Sequence, residues 1–374
     1  MPTAHCQLLT AKRIVIKIGS SLLTDEAAGR VREAWLAALA EDVHQLTSQG
    51  KQVIVVTSGA IALGRLQLGM KNKPALLEEK QAAAACGQIE LFSAWRNALS
   101  QQNLKAAQLL LTADDSIERR RYLNARNTID TLLDLGAIPV INENDTVATA
   151  EIRFGDNDRL AARVAQMAGA DLLILFSDID GLYSADPAQN PDAKFIAEVS
   201  EITPDIERMA GGSASNIGSG GMVTKIAAAK IALSAGCHMI IARGNIDHPL
   251  RALQNGGTFT RFIAQESPLS ARKRWIAGSI HPAGSVTIDD GAATALKSGK
   301  SLLPAGVTAI DGTFDRGDAV LIRDMQGNVL GKGLIAYGAA DAARIKGKKS
   351  RDIEQILGFK RRDVLIHRDD MVLE

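Results

Sequence analysis

Aromatic residues make up only 4% of the 374-residue sequence, and its charges nearly cancel, 43 Lys+Arg against 42 Asp+Glu for a net +1. Without a net positive field, nothing in the composition drives binding to nucleic acid or to an anionic membrane. Cysteine is scarce as well. Cys6, Cys86 and Cys237 are odd in number and widely spaced, so no disulfide framework is readable. No apolar run approaches the ~20 residues that span a bilayer. The opening MPTAHCQLLTAKRIVIKIGSSLL also lacks a basic region followed by a long apolar core. No membrane segment or secretory signal is expected, and a reducing, cytoplasmic setting is the default. The six histidines and three cysteines show no zinc-like spacing, and no G-x-S-x-G elbow is present, so metal hydrolysis and serine acyl transfer drop out.

What the sequence does have is small and aliphatic. It is 46% hydrophobic with 33 glycines, a mix that excludes a disordered chain and fits buried parallel strands alternating with Ala-rich helices. Apolar runs at 13–18, 52–56, 106–111, 137–141, 171–176 and 238–242 read as such strands. Between them, 34–46, 75–99, 123–135, 157–167 and 222–235 carry helical patterning. The alternation implies a doubly wound α/β domain with ligands outside the carboxyl ends of its strands. Near 267–274 the rhythm changes, and from about 283 short alternating strands with turns such as Gln326-Gly327-Asn328 predict a small β-rich module. The expected organisation is a domain over 1–266, a linker over 267–281 and the module over 282–374.

Five places carry polar groups that packing alone does not call for. Lys17, in Ile16-Lys17-Ile18-Gly19-Ser20-Ser21, ends a buried strand, where an ammonium is costly unless an anion meets it; the plainer alternative is a lysine snorkelling from the strand end. Ser58, in Val56-Thr57-Ser58-Gly59-Ala60, opens a helix and could cradle a carboxylate or phosphate, or simply cap the helix. Asn142-Glu143-Asn144-Asp145 ends another strand, and Gly155-Asp156-Asn157-Asp158 opens the next helix. Either cluster alone is an ordinary turn, but the two together suit binding an ammonium group or organising lysines. Ser177-Asp178 ends a further strand, and Gly218-Ser219-Gly220-Gly221-Met222-Val223-Thr224-Lys225 is a glycine loop leading into a helix, with amides and an ammonium suited to phosphate.

Other motifs fail on inspection. Gly299-Lys300-Ser301 lacks the earlier glycine of a phosphate loop, because position 294 is Thr. The stretch from Gly331 to Ala336 imitates a dinucleotide fingerprint without a βαβ unit, and His367-Arg368-Asp369 lacks the companions of a protein-kinase catalytic loop. Adjacent Cys237 and His238 read as core.

Taken together, KIGSS, VTSGAIALG, RYLNARNT, PVINENDTVATAEIRFGDND, SDIDGLY, GSGGMVTK and the terminal HRDDM resemble the amino-acid kinase family in content and order. Within the family they resemble most the branch that phosphorylates the side-chain carboxylate of L-glutamate, the first step of proline biosynthesis. Departures are mild: Ser20, Ser177 and Ser219 stand where threonine is common. The resemblance implies a three-layer αβα sandwich with a mainly parallel sheet, of the carbamate-kinase type, followed by a small β-rich PUA-like C-terminal domain.

The resemblance also implies roles. It places ATP on Lys17, Ser177, Asp178, Ser219, Gly220, Gly221, Met222, Val223, Thr224 and Lys225. It places glutamate on Ser58, Asp145 and Asn157, and makes Asp158 the aspartate that organises catalytic Lys17 and Lys225. It implies Mg²⁺ arriving with ATP and no dedicated protein metal ligand. It further implies proline as feedback inhibitor, a homo-oligomer, and handover of product to γ-glutamyl phosphate reductase. A carboxylate acceptor is ionised at pH 7, which accounts for the lack of a His or Cys base among the candidates. Two rival readings remain: a sister kinase acting on another acid or on UMP, and an RNA-binding protein working through the C-terminal module. Against the second, charge over 281–374 is nearly balanced, and stacking residues are limited to Phe314, Tyr337 and Phe359.

Overall fold

The computed structural model describes residues 8, 10–25, 29–70, 76–148, 156–211, 221–279 and 281–373. Two compact units divide the chain, 1–268 and 269–374.

The first unit is built on an eight-stranded sheet. Its strands are β1 (Arg13–Ile18), β2 (Gln52–Val56), β3 (Lys105–Leu111), β4 (Ala137–Glu143), β5 (Leu172–Ser177), β6 (Glu198–Val199), β7 (His238–Arg243) and β8 (Phe259–Phe262). Their order across the sheet is β6-β8-β7-β5-β1-β2-β4-β3. All pairings are parallel except β7 with β8. The six expected strands are present within a residue or two. The two short additions, β6 and β8, lack the aliphatic runs of the others. In β8, Arg261 is buried and paired with Glu198 of β6, so its pattern does not read as a core strand.

Helices α1 (Glu33–Ser48), α2 (Ala60–Gln67), α3 (Leu77–Gln101), α4 (Arg119–Asp134), α5 (Asp156–Ala168) and α6 (Met222–Ser234) cover the sheet. Strand alternation decides which face each side chain meets. Ile14, Ile16 and Ile18 of β1 pack in one core with Leu36 and Leu39 of α1 and Leu91 and Trp95 of α3. Val15 lies in the opposite core with Ala161 and Ala165 of α5 and Ala228 and Ala232 of α6. Two cores on two faces make the three-layer αβα arrangement. Lys17, in register with Val15, therefore faces the α5–α6 side. Those alanines leave room for α5 to sit close over β1 and for α6 to pack closely against α5.

Chain order reverses around β1: the chain runs outward through β2 to the β4–β3 edge, then returns to β5 on the other flank. In doubly wound sheets the crevice at such a reversal, outside the carboxyl ends, is where ligands bind. Among the described residues no helix is long and apolar enough to cross a membrane.

The second unit is a five-stranded sheet of order β10-β9-β11-β12-β13, with β9 (Gly284–Ile288), β10 (Val307–Gly312), β11 (Ala319–Arg323), β12 (Val329–Ile335) and β13 (Ile366–Leu373). The expected turn at Gln326-Gly327-Asn328 joins β11 to β12, with Gly327 at φ +89° and Asp324 accepting from the Gln326 and Asn328 amides. The expected linker is largely a helix, α7 (Pro268–Ser279). Its Ile276 packs with Ala319 and Leu334, and its Arg272 holds buried Asp370 at 2.6 Å. The HRDDM aspartate thus serves the architecture of this unit.

Candidate active site

The carboxyl ends of β1, β2, β4 and β5 and the first turns of α2, α5 and α6 carry the candidate residues. Lys17 is the last side chain but one of β1, and strand alternation points it toward α5 and α6. Its Nζ lies 2.6 Å from Oδ1 of Asp158, in the first turn of α5. Oδ2 of the same carboxylate lies 3.3 Å from Nζ of Lys225, in the first turn of α6, and accepts a 2.8 Å bond from the Thr224 hydroxyl. Side-chain exposures of 9%, 1% and 7% for Lys17, Asp158 and Lys225 mean that water does little of the solvation here. Two ammonium groups share one carboxylate, so the cluster carries more positive charge than Asp158 cancels.

Burial is the largest influence on Lys17 and pushes its ammonium below the ordinary lysine range; Asp158 opposes this, and Lys225 adds to it. Burial also works against the Asp158 carboxylate. Lys17 and Lys225 together with the Thr224 hydroxyl outweigh it, holding Asp158 below the usual carboxylate range. A dehydrated cationic cluster at the end of a strand is suited to receive a polyanion.

One residue before Asp158, Asn157 belongs to a second group. Its amide nitrogen donates to the Thr57 carbonyl at 2.8 Å and to Asn142 Oδ1 at 3.1 Å. The first turn of α5 thus presents Asn157 to the ends of β2 and β4 and Asp158 to β1 and α6. Thr57 is itself fixed, its amide donating to Ile141 O at 2.9 Å and its hydroxyl accepting from the Trp95 indole at 3.0 Å. Ser58 follows, its hydroxyl donating to Ile18 O at 2.8 Å and tying the ends of β1 and β2 together. Gly59 then turns the chain into α2 at φ +108°, a conformation that favours glycine, and a Cβ there would stand 3.0 Å from Thr24 Cγ2. The first amides of α2 have no acceptor within the helix and suit an anionic group of a ligand.

Asp145, two residues beyond β4, is buried at 8% exposure. Ser177 closes β5, with its hydroxyl donating to the exposed Asp178 carboxylate at 2.9 Å. Gly221 precedes α6, while Met222 is half-buried and Val223 exposed in its first turn. Ser219 and Gly220 lie outside the described residues. Among the candidates, Lys17, Asp158 and Lys225 meet directly, Thr224 joins them, and Asn157 connects to the Thr57–Ser58 turn.

Residues beyond the candidates also take part. Asn142, already in the polar cluster that ends β4, donates to Gln88 Oε1 of α3 at 2.7 Å. Gln88 sits in an Ala-rich helical stretch, where no local pattern marks it. It reaches the site because α3 crosses α2 at two glycines. A Cβ on Gly64 would lie 1.7 Å from Ala83 O, and one on Gly87 1.9 Å from Ala60 O.

Comparison with known proteins agrees with this architecture. Residues 12–243 match the amino acid kinase family, and residues 284–357 match the PUA domain. A glutamate 5-kinase of Paramagnetospirillum magneticum is 60% identical over 367 residues, covering 98% of this chain and 99% of its own length. A glutamate 5-kinase of a Bradyrhizobium species is 59% identical over 370 residues, covering 99% and 98%. Among solved structures, carbamate kinase from Giardia lamblia bound to AMP-PNP shares the fold, with a TM-score of 0.50 at 17% identity over 69% of this chain and 100% of that one.

Proposed function

The chain belongs to the amino acid kinase family, and on that premise we propose that it moves the γ-phosphoryl group of ATP onto the side-chain carboxylate of L-glutamate, giving L-glutamyl 5-phosphate and ADP. This is the first step of proline biosynthesis. The choice of glutamate rests on the name that relatives at about this identity over nearly the whole chain share. The observation that carries the chemistry is the buried Lys17–Asp158–Lys225 cluster at the end of β1.

An anionic nucleophile must approach a polyanion. A glutamate carboxyl group ordinarily loses its proton at about pH 4.3, so the carboxylate needs no base to activate it. The difficulty is repulsion, and paired ammonium groups held in a dehydrated site offset it best as charge spreads over the transferred oxygens. A carboxylate oxygen forms the new bond to phosphorus while the bond to the β,γ-bridging oxygen breaks and its electrons leave with ADP. Lys17 and Lys225 stabilise that transfer, and Asp158 holds both in place and does not act as a base. Ser177, Asp178 and the loop from Ser219 through Gly220, Gly221, Met222, Val223 and Thr224 to Lys225 hold the nucleotide. Ser58 and Asn157 hold the amino acid, and Asp145 takes its α-ammonium.

Both Asp158 oxygens face ammonium groups, and among the described residues no three His, Cys, Asp or Glu side chains gather as a metal cage. With Asp158 taken up by the two lysines, Mg²⁺ would come with the nucleotide, held by its phosphate oxygens and water. Bound there, it would neutralise charge between the β- and γ-phosphates.

Feedback inhibition by proline, which presents an α-ammonium and carboxylate like those of glutamate, belongs to the same reading. So do homo-oligomerisation and handover of the labile acyl phosphate to a reductase. The test is hydroxamate trapping with ATP and Mg²⁺ across glutamate, N-acetylglutamate and aspartate, with a coupled ADP assay for UMP, each with and without proline. Hydroxamate with glutamate alone, reduced by proline, is expected. Turnover confined to another acceptor would overturn the assignment.

A further inference from the structure

We propose that Gln88 of α3 is a positioning residue for the amino-acid substrate, acting through Asn142 to hold Asn157 with its amide oxygen turned toward the ligand. The inference rests on the reading of glutamate as substrate.

A primary amide has a donor end and an acceptor end, and at first sight either could face a neighbour. Here the backbone removes the choice. The Thr57 carbonyl can only accept, so the atom 2.8 Å from it must be the Asn157 nitrogen. The second hydrogen of that nitrogen is directed at Asn142 Oδ1, 3.1 Å away. With both hydrogens committed, Asn157 offers a ligand only its oxygen, an acceptor suited to an ammonium group. Asn142 can receive that hydrogen only if its own oxygen faces Asn157, which turns its nitrogen toward α3. There Gln88 Oε1 accepts at 2.7 Å. Asn142 is 2% exposed, so a flipped amide would set two nitrogens against each other with little water to relieve them.

Donation runs from Asn157 to Asn142 to Gln88, so Gln88 is the terminal acceptor that locks the pair, on a helix that carries none of the expected site residues. The close crossing of α3 and α2 at Gly64 and Gly87 makes the reach possible, since Gln88 directly follows the second of these glycines. The relay gives the site a preference for an acceptor pointing at the substrate's nitrogen.

The experiment compares wild type, Gln88→Leu, Gln88→Glu and Asn142→Ala, with the Gln88→Leu/Asn142→Ala double variant, in steady-state assays varying glutamate and ATP separately. Gln88→Leu keeps helix propensity and length but removes the acceptor. It is expected to raise KM for glutamate about tenfold, the size of one well-placed hydrogen bond, and to leave KM for ATP unchanged. Gln88→Glu retains an acceptor and is expected to stay within about threefold of wild type. In the Asn142→Ala background, Gln88→Leu is expected to add nothing, because its intermediary is gone. A thermal melt on each variant accompanies the kinetics. Equal increases in both KM values, full additivity with Asn142→Ala, or a Gln88→Leu enzyme like wild type would each overturn the relay. Absence of wild-type turnover with glutamate would remove the functional reading and this inference with it. An active wild type with an unaffected Gln88→Leu removes this inference alone.

Discussion

Asp158→Asn is the substitution that probes the cluster most severely. The side chain keeps its shape, and the charge that two buried ammonium groups share disappears. At separations of 2.6 and 3.3 Å, unit charges attract by roughly 5–6 kcal/mol per pair at an effective dielectric of about 20. Desolvation offsets much of this in the intact protein, but removing one partner leaves the others buried without it, which typically costs about 3–5 kcal/mol. Lys17, already held low by burial, offers the cheaper escape by giving up its proton. The variant is therefore expected to melt at least about 5 °C lower near neutral pH. Its kcat is expected to fall by at least about 10²-fold, as when a preorganised charge stabiliser is lost. Linkage supplies a second readout. Because folding lowers the Asp158 pKa, its stabilisation is present above the unfolded carboxylate's pKa and is lost as pH falls through the lower, folded value. The stability gap between wild type and variant is thus expected to close in acid. Calorimetry across pH and steady-state kinetics measure both effects. A variant with the wild-type midpoint and turnover would refute the idea that both lysines depend on this carboxylate.

Groups around the cluster respond to substitution in separable ways. Asp145→Asn is expected to raise KM for glutamate at least tenfold while moving KM for ATP much less, since a charge-assisted bond to an ammonium contributes about 1.5–3 kcal/mol; equal effects on both would instead give Asp145 a structural role. Gly87→Ala drives a methyl into the Ala60 carbonyl, a backbone atom that cannot rotate away, and is expected to destabilise by about 1–3 kcal/mol or more, with an unchanged melt contradicting the close crossing. Wild-type kcat/KM is expected to decline with a pKa below the ordinary lysine range, set by Lys17. Nucleotide phosphate favours the charged lysine, so the corresponding limb in kcat is expected at higher pH, and coincident limbs would place the nucleotide away from Lys17.

The strands and helices of the first unit are legible in the sequence because buried parallel strands demand unbroken aliphatic runs, and Ala-rich helices demand periodicity. Lys17 stands out for the same reason: a cation inside such a run conflicts with its surroundings and asks for a partner. The identity of that partner is another matter. Asp158 lies far along the chain; its polar cluster suits organising lysines, but only the resemblance to a known family pairs it with Lys17. Gln88 leaves no trace, since a glutamine in a helix is ordinary and only the crossing at Gly64 and Gly87 gives it a role. Helix α7 did have a signal, a serine at 267 before Pro268 at the first helical position. The basic run that follows resembles a solvated connector, yet Arg272 turns inward to Asp370.

Paired ammonium groups offset the repulsion between nucleotide and acidic acceptor. Phosphoryl transfer by Lys17→Ala at saturating ATP and glutamate, followed in a single turnover, measures that offset. The rate is expected to fall roughly 10²–10³-fold with the fold intact. Transfer at close to the wild-type rate would contradict the account.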